Sequence, residues 1–341
     1  MAEMMKAALW MGTEQIEVRE IPKPKPGPGE ALLKVGYGGI CGTDLMIYLG
    51  KHPRAKAPLV MCHEFGGTVV ASDGDAIPAG TVVAINPLLT CGKCYACRNG
   101  IPHVCEKLGL VGIDTDGGFA EYVSVPLHTL VPVPPSLPQE QIALVEPLAV
   151  AVHAVRVSDL GVGDVTVVLG AGPIGIMTAQ VARLAGARRV FVSERSPKRL
   201  EIARELGFDV VDVSQGSIVD TVMEATDGIG VPVVFETAGV QPTLNDATKL
   251  ARIGGQILQV GIPKAPPTVD MTTLIFKEVR RTPIRVYRSE DVELAAAIAV
   301  EGSVDLVKPV THILPLEELD KGMRIAHEAM DACKILLDPS R

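Results

Sequence analysis

The sequence predicts an α/β protein with two domains, one rich in β-strands and one built on a doubly wound parallel sheet. Two observations predict this architecture. Residues 6–135 consist of short apolar runs separated by Gly and Pro, which is typical of strands joined by tight turns. From Gly163 onward, apolar strand-like runs alternate with helical segments, and this alternation requires a parallel sheet with crossover helices. At roughly 150 residues per domain, the 341 residues suffice for both cores.

The β-rich domain is predicted at residues 1–154 and 289–341. Its N-terminal part contains the strand-like runs KAALW, ALLKVGY, GGTVVAS, GTVVAINP and FAEYVSVP. Two helical signals occur there. A short one follows Thr43 and Asp44, and a longer one starts near Gln139 and leads out of the domain.

The C-terminal part is predicted to return to this domain as two helices and a strand. Residues 290–301 have a helical pattern, and the segment KILLD is typical of a closing strand. Between them, apolar residues recur at spacings of 3, 4, 3 and 4, which predicts a helix with one buried stripe. These residues are Leu316, Leu319, Met323, Ala326 and Met330.

The parallel-sheet domain is predicted at residues 155–288. Its strand-like runs are VTVVLG, RRVFVS, VPVVFE and QILQVG. Helices are expected between them, the first ending near Ala185, the second after Ser196 and Pro197, and the third after Pro242.

The composition favours small molecules or further copies of the chain as partners. The 40 Asp and Glu residues outnumber the 32 Lys and Arg residues, which gives a formal net charge of -8. A surface of this sign repels nucleic acid and anionic membranes, so neither is an expected partner. The N-terminus carries only a five-residue apolar run, too short for a signal peptide, so a cytoplasmic location is expected. The charge-free stretch 165–182 is interrupted by GAGPIG, which indicates a strand, turn and helix rather than a membrane span.

A glycine-rich loop follows the first strand of the second domain. In VVLGAGPIG, Gly170 permits the tight turn, Gly172 lets the backbone approach a pyrophosphate, and Gly175 lets the helix pack on the strand. Strand, loop, helix and second strand occur in order, so a dinucleotide site of the Rossmann type is favoured over a glycine-rich turn without a ligand. Pro173 and Ile174 belong to the same expected site.

An acidic residue at the end of the next strand predicts the cofactor. Glu194 lies 19 residues after the last glycine of the loop, where a carboxylate accepts from the ribose 2′-hydroxyl and disfavours the 2′-phosphate of NADP. NAD is therefore expected, and the basic residues Arg195, Lys198 and Arg199 keep NADP as the less favoured alternative. The remaining expected cofactor-binding residues are Arg199, Val260 and Gly261.

Four cysteines in a lobe at about residues 89–107 predict a structural zinc site. They are Cys91, Cys94, Cys97 and Cys105. Gaps of two, two and seven residues let four thiolates converge on one tetrahedral ion. A bacterial iron–sulfur pattern has a three-residue last gap followed by Pro, whereas Glu106 follows here. Four free buried thiols do not fit so polar a segment, and a nucleic-acid zinc finger does not fit the net charge.

A second group of possible metal ligands is more widely spaced. Cys41 lies in GICGTD, His63 and Glu64 form the pair in CHEFGG, and Glu146 lies in EPLAV. Each has an ordinary structural explanation as a small buried thiol, a core histidine or a carboxylate at a helix start. Spacing alone leaves both explanations open. Three mixed ligands with one position left for water or substrate would form a catalytic zinc site.

In their order and spacing these motifs resemble those of zinc-containing medium-chain dehydrogenases. The resemblance rests on GICGTD, the HE pair followed by GG, the four-cysteine lobe, GIDTDGGFAEYV, EPLAVAVHA and GAGPIG, and it covers essentially the whole chain. It is strongest to the branch that holds sorbitol, threonine and butanediol dehydrogenases. It implies a GroES-like catalytic domain, a Rossmann domain and hydride transfer between an alcohol or ketone and the nicotinamide. Members are mostly dimers and tetramers, so a homo-oligomer is expected.

Carried over residue by residue, the resemblance implies roles in catalysis. Cys41, His63 and Glu146 become the ligands of the catalytic zinc, with Glu146 binding either directly or through water. Glu64 is implied to contact these ligands or to alternate with one of them. Thr43 is implied to take the proton from the alcohol.

Two positions depart from the family pattern. Cys62 stands where the family usually has Gly before the HE pair, which places a thiol beside a ligand. Met46 stands where threonine and butanediol relatives commonly have His, so a histidine proton shuttle is absent there, and the nearest histidine in sequence is His52. Arg288, in VYRSED, is implied to face the substrate as an arginine does in polyol dehydrogenases.

The expected function is oxidation of a secondary alcohol of a polyol, sugar alcohol or vicinal diol to a ketone. The expected cofactors are NAD and two zinc ions per chain, one catalytic and one structural. Within enzymes, oxidation of a 3-hydroxy amino acid such as L-threonine is the alternative. A catalytically silent cofactor-binding protein on the same fold is a further alternative. The joint presence of the ligand set and Thr43 argues against that silent protein.

Overall fold

The chain divides into two compact units in the computed structural model, which describes residues 3–341. One unit contains Met1–Glu146, Arg288–Gly302 and Val310–Arg341, and the other contains Pro147–Tyr287 and Ser303–Pro309. The first border thus lies at residue 146 where the sequence pattern suggested 154, and residues 303–309 go with the second unit. The first unit is rich in antiparallel strands and the second is a parallel sheet with helices, so the predicted α/β class is confirmed.

The first unit contains short strands and helices joined by turns. Up to the border its strands are β1 (Met4–Gly12), β2 (Gln15–Pro22), β3 (Glu30–Gly39), β4 (Leu59–Val60), β5 (Glu64–Ser72), β6 (Val82–Ile85), β7 (Leu88–Leu89), β8 (Gly109–Leu110), β9 (Tyr122–Pro126) and β10 (Leu130–Pro132). Its helices are α1 (Gly42–Tyr48), α2 (Tyr95–Arg98), α3 (Gln139–Ile142) and α4 (Val145–Val157), which continues past the border. The single helix expected from Gln139 is two helices, because the Leu144 N–H turns back to the Gln141 carbonyl three residues earlier.

The second unit alternates strands and helices. Its elements are β11 (Val165–Leu169), α5 (Pro173–Leu184), β12 (Arg189–Glu194), α6 (Pro197–Glu205), β13 (Asp209–Asp212), α7 (Ile218–Ala225), β14 (Val231–Glu236), α8 (Gln241–Leu250), β15 (Ala251–Gln259), α9 (Met271–Lys277) and β16 (Arg280–Pro283). The chain then adds α10 (Ser289–Glu301), β17 (Val310–Pro315), α11 (Leu319–Glu328) and β18 (Lys334–Asp338) to the first unit. Within residues 3–341, every helix is too short or too polar to cross a membrane.

Strand order in the first unit brings three distant segments of the chain together. The main sheet runs β10-β6-β5-β3-β18-β17, and β9 also pairs with β3. Gly39 at the end of β3 lies opposite Glu64 at the start of β5. Leu336 of β18 also lies opposite Gly39. The residues just after β3, just before β5 and at the start of β18 therefore converge.

The parallel sheet brings the loops of the second unit to one edge. Its order is β13-β12-β11-β14-β15-β16. Leu169 at the end of β11 lies opposite Ser193 and Glu236, and Glu236 at the end of β14 lies opposite Gln259. Because parallel strands point the same way, the loops that follow these strands lie side by side. The strands carry apolar runs because both faces of the sheet are covered. Core residues include Val167, Phe191, Val234 and Ile257.

Candidate metal centres and dinucleotide site

The four-cysteine lobe gathers its sulfur atoms into a tetrahedral arrangement. The Sγ atoms of Cys91 and Cys105 are 3.5 Å apart, as are those of Cys94 and Cys97. The Cys94–Cys105 and Cys91–Cys97 separations are 3.8 and 4.0 Å. Four sulfurs bound to one tetrahedral zinc ion at about 2.3 Å lie about 3.8 Å from one another. The lobe therefore has the size of a closed structural zinc site.

Backbone donors prepare one of these thiols for metal binding. The N–H groups of Cys97 and Glu106 lower the pKa of Cys94 to about 6. The thiolate is the form that binds metals. Ionisation of Cys94 is thus favoured, whereas burial and the Cys94 thiol raise the pKa of Cys97.

A second cluster lies where β3, β5 and β18 converge. Ligand atoms of Cys41, His63 and Glu64 lie within 4.8 Å of one another, and His63 and Glu64 are buried. The Nδ1 atom of His63 is buried and has no hydrogen-bond partner among the described residues. Glu146, buried in the first turn of α4, is not part of this 4.8 Å group. The structure thus brings Glu64 closer to the cysteine and histidine than it brings Glu146.

Asp44 joins the two segments that carry these ligands. Its carboxylate is fully buried and accepts the backbone N–H of Cys41 at 2.9 Å, which begins α1, and that of Cys62 at 3.2 Å. Cys41 and His63 are held at a fixed separation because one side chain binds the backbone beside both. Sequence reasoning used Asp44 only as a helix-start signal, since the second of these bonds is not visible from spacing.

Lys334 brings a buried positive charge to the cluster. Its side chain is 1% exposed, its Nζ donates to the Ile40 carbonyl at 2.9 Å, and it forms an ion pair with Glu64. A Cβ on Gly39 would lie 2.5 Å from a Glu64 carboxylate oxygen and 2.9 Å from Lys334 Cε, so only glycine leaves room for the pair. The sequence pattern identified this lysine only as part of the strand KILLD.

Three further residues define the surroundings of the cluster. The Thr43 hydroxyl lies 3.9 Å from the Cys41 sulfur. Cys62, at the position usually held by Gly, is fully buried with a φ of 88°, a conformation that costs a residue with a Cβ about 1–3 kcal/mol. Its thiol donates to the Glu64 carbonyl at 3.3 Å. The side chain of Met46 is directed partly to solvent, with 42% of the residue exposed.

His52 has a structural task in the loop that follows α1. Its Nδ1 accepts the backbone N–H groups of Arg54 and Ala55 at 3.4 and 3.2 Å, which fixes the turn. Burial lowers the pKa of His52, and the Arg54 charge lowers it further. The loop in which it lies therefore favours the neutral imidazole.

Arg288 lies at the start of α10 rather than in the Cys41 cluster. Its backbone N–H donates to Asp291 at 2.9 Å, and its Nη1 is 3.6 Å from Glu290. Its Nε is buried without a hydrogen-bond partner among the described residues. The substrate-facing role implied for Arg288 stays a prediction.

The glycine-rich loop has the close backbone packing of a phosphate cradle. Gly170 has a φ of 103°, and a Cβ on Gly175 would lie 1.9 Å from the Gly170 carbonyl oxygen. A Cβ on Gly172 would meet only Arg199 Nη1 at 3.8 Å, so the space outside this residue is open. Gly172 begins α5, whose N-terminus favours an anion. Pro173 and Ile174 form its first turn.

Glu194 at the end of β12 stabilises this loop through hydrogen bonds to its carboxylate. One carboxylate oxygen accepts the N–H groups of Arg195 and Ser196 at 2.7 and 3.1 Å, and the other accepts that of Ala171 at 3.1 Å. Arg199 Nη1 lies 3.9 Å from the same carboxylate. Glu194 therefore supports the loop, and its role in recognising a ribose hydroxyl stays a prediction.

Two backbone hydrogen bonds to β14 hold the loop after β15. The N–H groups of Val260 and Gly261 donate to the backbone carbonyl of Glu236 at 2.9 and 2.8 Å. Glu236 was not singled out from the sequence, where it is simply the last residue of the run VPVVFE.

Comparison with known proteins finds matches to two family domains, in separate parts of the chain. Residues 27–135 match the alcohol dehydrogenase GroES-like domain, and residues 173–301 match a zinc-binding dehydrogenase domain. A 2-dehydro-3-deoxy-L-galactonate 5-dehydrogenase from Pseudoalteromonas atlantica is 38% identical over 319 residues, which are 92% of this chain and 93% of that protein. An L-threonine 3-dehydrogenase from Pyrococcus horikoshii is 39% identical over 282 residues, 81% and 80% of the two chains. The solved structure of a zinc-binding dehydrogenase from Sinorhizobium meliloti bound to NADP has a TM-score of 0.91 and 32% identity, covering 99% of this chain and 100% of that one.

These matches define the class of the protein as an oxidoreductase of the zinc-binding dehydrogenase type. Identity of 38% over more than nine-tenths of both chains is also specific enough to give the family. The chain belongs to the zinc-containing medium-chain dehydrogenases, which confirms the resemblance inferred from its motifs.

Proposed function

We propose that the protein is an NAD- and zinc-dependent dehydrogenase that oxidises a secondary alcohol of a polyol, sugar alcohol, sugar acid or vicinal diol to a ketone. The observation that carries this proposal is the buried group of Cys41, His63 and Glu64 with the Thr43 hydroxyl beside it. The family supplies the reaction class, and this group supplies ligands and a proton acceptor in one place.

The donor set of the cluster fits a zinc ion. Thiolate, imidazole and carboxylate are the ligands that zinc takes in proteins. Burial raises the pKa of the Cys41 thiol to about 11, so a cation is needed to hold this residue as a thiolate. Glu146 would complete the set directly or through water. A bound zinc ion supplies Lewis acidity toward an alcohol oxygen, and NAD supplies a hydride acceptor.

Thr43 is the residue that we assign to proton movement. Its Oγ1 accepts the proton of the substrate hydroxyl and passes its own proton outward, since the residue is only half-buried at the start of α1. Asp44 keeps the two ligand segments in place during this step. Lys334 orients the Glu64 carboxylate and balances its charge.

The loop around Glu194 supports NAD over NADP. A carboxylate at the end of β12 favours a ribose hydroxyl and repels a phosphate at the same position. Arg199, 3.9 Å away, weakens that repulsion. NADP, which is bound in the Sinorhizobium meliloti protein, is therefore the alternative cofactor.

A substrate panel tests the proposal. Purified zinc-loaded protein is given NAD and, separately, polyols, vicinal diols, sugar acids and L-threonine, and NADH is followed by absorbance. Oxidation of a polyol, diol or sugar acid supports the proposal. Oxidation of L-threonine alone would favour the second candidate, a 3-hydroxy amino acid dehydrogenase, which the Pyrococcus horikoshii relative supports. A panel without any activity, in protein that binds NADH, would favour a silent cofactor-binding protein.

We propose that the protein is a homo-oligomer that uses the apolar surface of the second unit. Phe276 of α9 is 83% exposed, Ile275 is 66% exposed, and Ile262 in the loop after β15 is 84% exposed. Ile275 and Phe276 are adjacent in the chain, and a contiguous exposed apolar patch would mark an interaction surface. Light scattering of Phe276→Ser should show a smaller species than the native protein at equal concentration. An unchanged mass would exclude this surface.

A further inference from the structure

The loops that follow β11, β14 and β15 form one connected framework at the carboxyl edge of the parallel sheet. A Cβ on Gly261 would lie 2.3 Å from the Gly239 nitrogen. A Cβ on Gly170 would lie 3.1 Å from the Cβ of Ala238. The loop after β14 is therefore packed against the glycine-rich loop on one side and against the loop after β15 on the other. Open α/β sheets bind their ligands at this edge.

The carboxylate of Glu236 anchors two of these loops. Glu236 ends β14 and is fully buried. Its Oε1 accepts the N–H groups of Ala238 and Gly239 at 3.1 and 2.8 Å and the Thr243 hydroxyl at 2.6 Å. Its Oε2 accepts the Gln259 amide at 2.5 Å. The loop after β14 and the end of β15 thus depend on the same buried charge.

Gln259 extends this network to the loop after β15 and to β16. Its amide nitrogen also donates to the Gly261 carbonyl at 2.6 Å, and its amide oxygen accepts from Arg281 Nη2. The orientation of the amide is fixed at both ends, because its nitrogen faces two acceptors and its oxygen faces a cation. The order of groups is carboxylate, amide, guanidinium.

The neighbouring residue, Thr237, anchors the third loop. Its backbone N–H donates to the Leu169 carbonyl at 3.0 Å. Its hydroxyl lies 2.9 Å from the Leu169 carbonyl oxygen and 3.1 Å from that of Gly170. A Cβ on Gly175 would lie 2.9 Å from the same hydroxyl. Thr237 therefore supports the underside of the glycine-rich loop, where the pyrophosphate is expected.

We propose that Glu236 and Thr237 are positioning residues, each of which supports the binding of a different part of the dinucleotide. Thr237 holds the glycine-rich loop that would bind the pyrophosphate, a group that NADH and ADP-ribose share. Glu236, through Gln259, holds the two loops that belong to the second mononucleotide-binding half of the sheet, which takes the nicotinamide nucleoside. This inference rests on the proposed dinucleotide function.

Replacing Glu236 by Gln tests the first assignment without changing the size of the side chain. The amide nitrogen introduced at position 236 would face either the amide nitrogen of Gln259 or the N–H groups of Ala238 and Gly239, so each orientation sets donor against donor. Rotating the Gln259 amide would only move the first conflict to Arg281 and to the Gly261 carbonyl. Calorimetry should give a Kd for NADH raised about tenfold or more, the factor that loss of a hydrogen bond to a charged group gives. ADP-ribose lacks the nicotinamide nucleoside, so its Kd should change by less than about threefold in the same variant.

Thr237→Val tests the second assignment. It removes the hydroxyl beneath the glycine-rich loop and should weaken NADH and ADP-ribose by similar factors. Thr237→Ser keeps the hydroxyl and should restore both. Glu205→Gln, which alters a half-exposed carboxylate of the same unit 2.7 Å from Lys308, is the matched control and should change neither affinity.

A second substitution separates positioning from general loss of fold. In E236Q/Q259E the carboxylate moves one place along the network, where it accepts from the new amide and from Arg281 but no longer donates to the Gly261 carbonyl. This double variant should recover part of the lost NADH affinity. Equal loss of both ligands in Glu236→Gln, or failure of that variant to fold, would overturn the proposal, whereas recovery in E236Q/Q259E supports it. Native protein that binds neither ligand would instead contradict the proposed function itself.

Discussion

Replacing Lys334 by Met should destabilise the first unit by about 3–5 kcal/mol, the usual cost of removing one partner of a buried ion pair. The Lys334 and Glu64 side chains are only 1% and 3% exposed, so in protein without metal at the Cys41 cluster the Glu64 charge would stay away from water without a counter-ion. Methionine has a similar length and an unbranched shape, so lost packing contributes little. The expected loss is therefore electrostatic.

The assay is urea unfolding followed by the fluorescence of Trp10, the single tryptophan, which lies in β1 of the same unit. Lys321→Met is the matched control because Lys321 lies 2.6 Å from Glu318 in that unit, with side chains 60% and 40% exposed. An exposed pair of this kind contributes at most about 1 kcal/mol. Adding Glu64→Gln to Lys334→Met should recover most of the stability, since no charge is then left buried.

Two outcomes would refute this reasoning. A loss in Lys334→Met no larger than that in Lys321→Met would show that the buried pair contributes no more than a surface pair. A double variant as unstable as Lys334→Met would show that packing, and not the isolated Glu64 charge, is the cause.

Three other predictions concern the metals, the proton and the cofactor. Elemental analysis should give about two zinc ions per native chain and about one in folded Cys41→Ser. Cys97→Ser should instead lose stability, because a closed structural site contributes folding energy. A zinc content near one per native chain would contradict the assignment of two sites. Thr43→Val should lower kcat by about 10²–10⁴, the span of a positioned acid–base group, and near-native kcat on a substrate with a deuterium isotope effect would remove Thr43 from the proton path. Glu194→Ala should narrow the preference for NAD over NADP by about 1–3 kcal/mol, measured as the ratio of the two Kd values; an unaltered ratio would assign the selection to other residues.

Local patterns in the sequence were sufficient for two parts of the molecule. The four cysteines lie within fifteen residues, so their spacing alone limits how they can meet. The glycine-rich loop is likewise one short segment whose strand and helix flank it directly. The break between α3 and α4 was not predictable, because the residues around Ala143 are apolar and buried on every side and show no turn signal.

The roles of several residues around the Cys41 cluster could not be predicted from the sequence. The grouping of Cys41 and His63 as metal ligands came from the family resemblance, because one follows β3 and the other precedes β5, 22 residues apart in the chain. Asp44 and Lys334 were missed because their roles depend on partners brought near by sheet register. Lys334 is 270 residues from Glu64 in the chain, and no periodicity links the two. The same holds for Glu236, whose partners include Gln259 on the neighbouring strand.

The position of Lys334 in β18 also means that Glu64 is synthesised long before its counter-ion. Glu64 leaves the ribosome 270 residues before its counter-ion does. At roughly 5–20 residues per second, the nascent chain carries an unpartnered acidic side chain for about 14–54 s. The whole segment Pro147–Tyr287 is made in that interval and has its own core. The parallel-sheet unit is therefore able to fold on the ribosome first, while the first unit waits for its last strand.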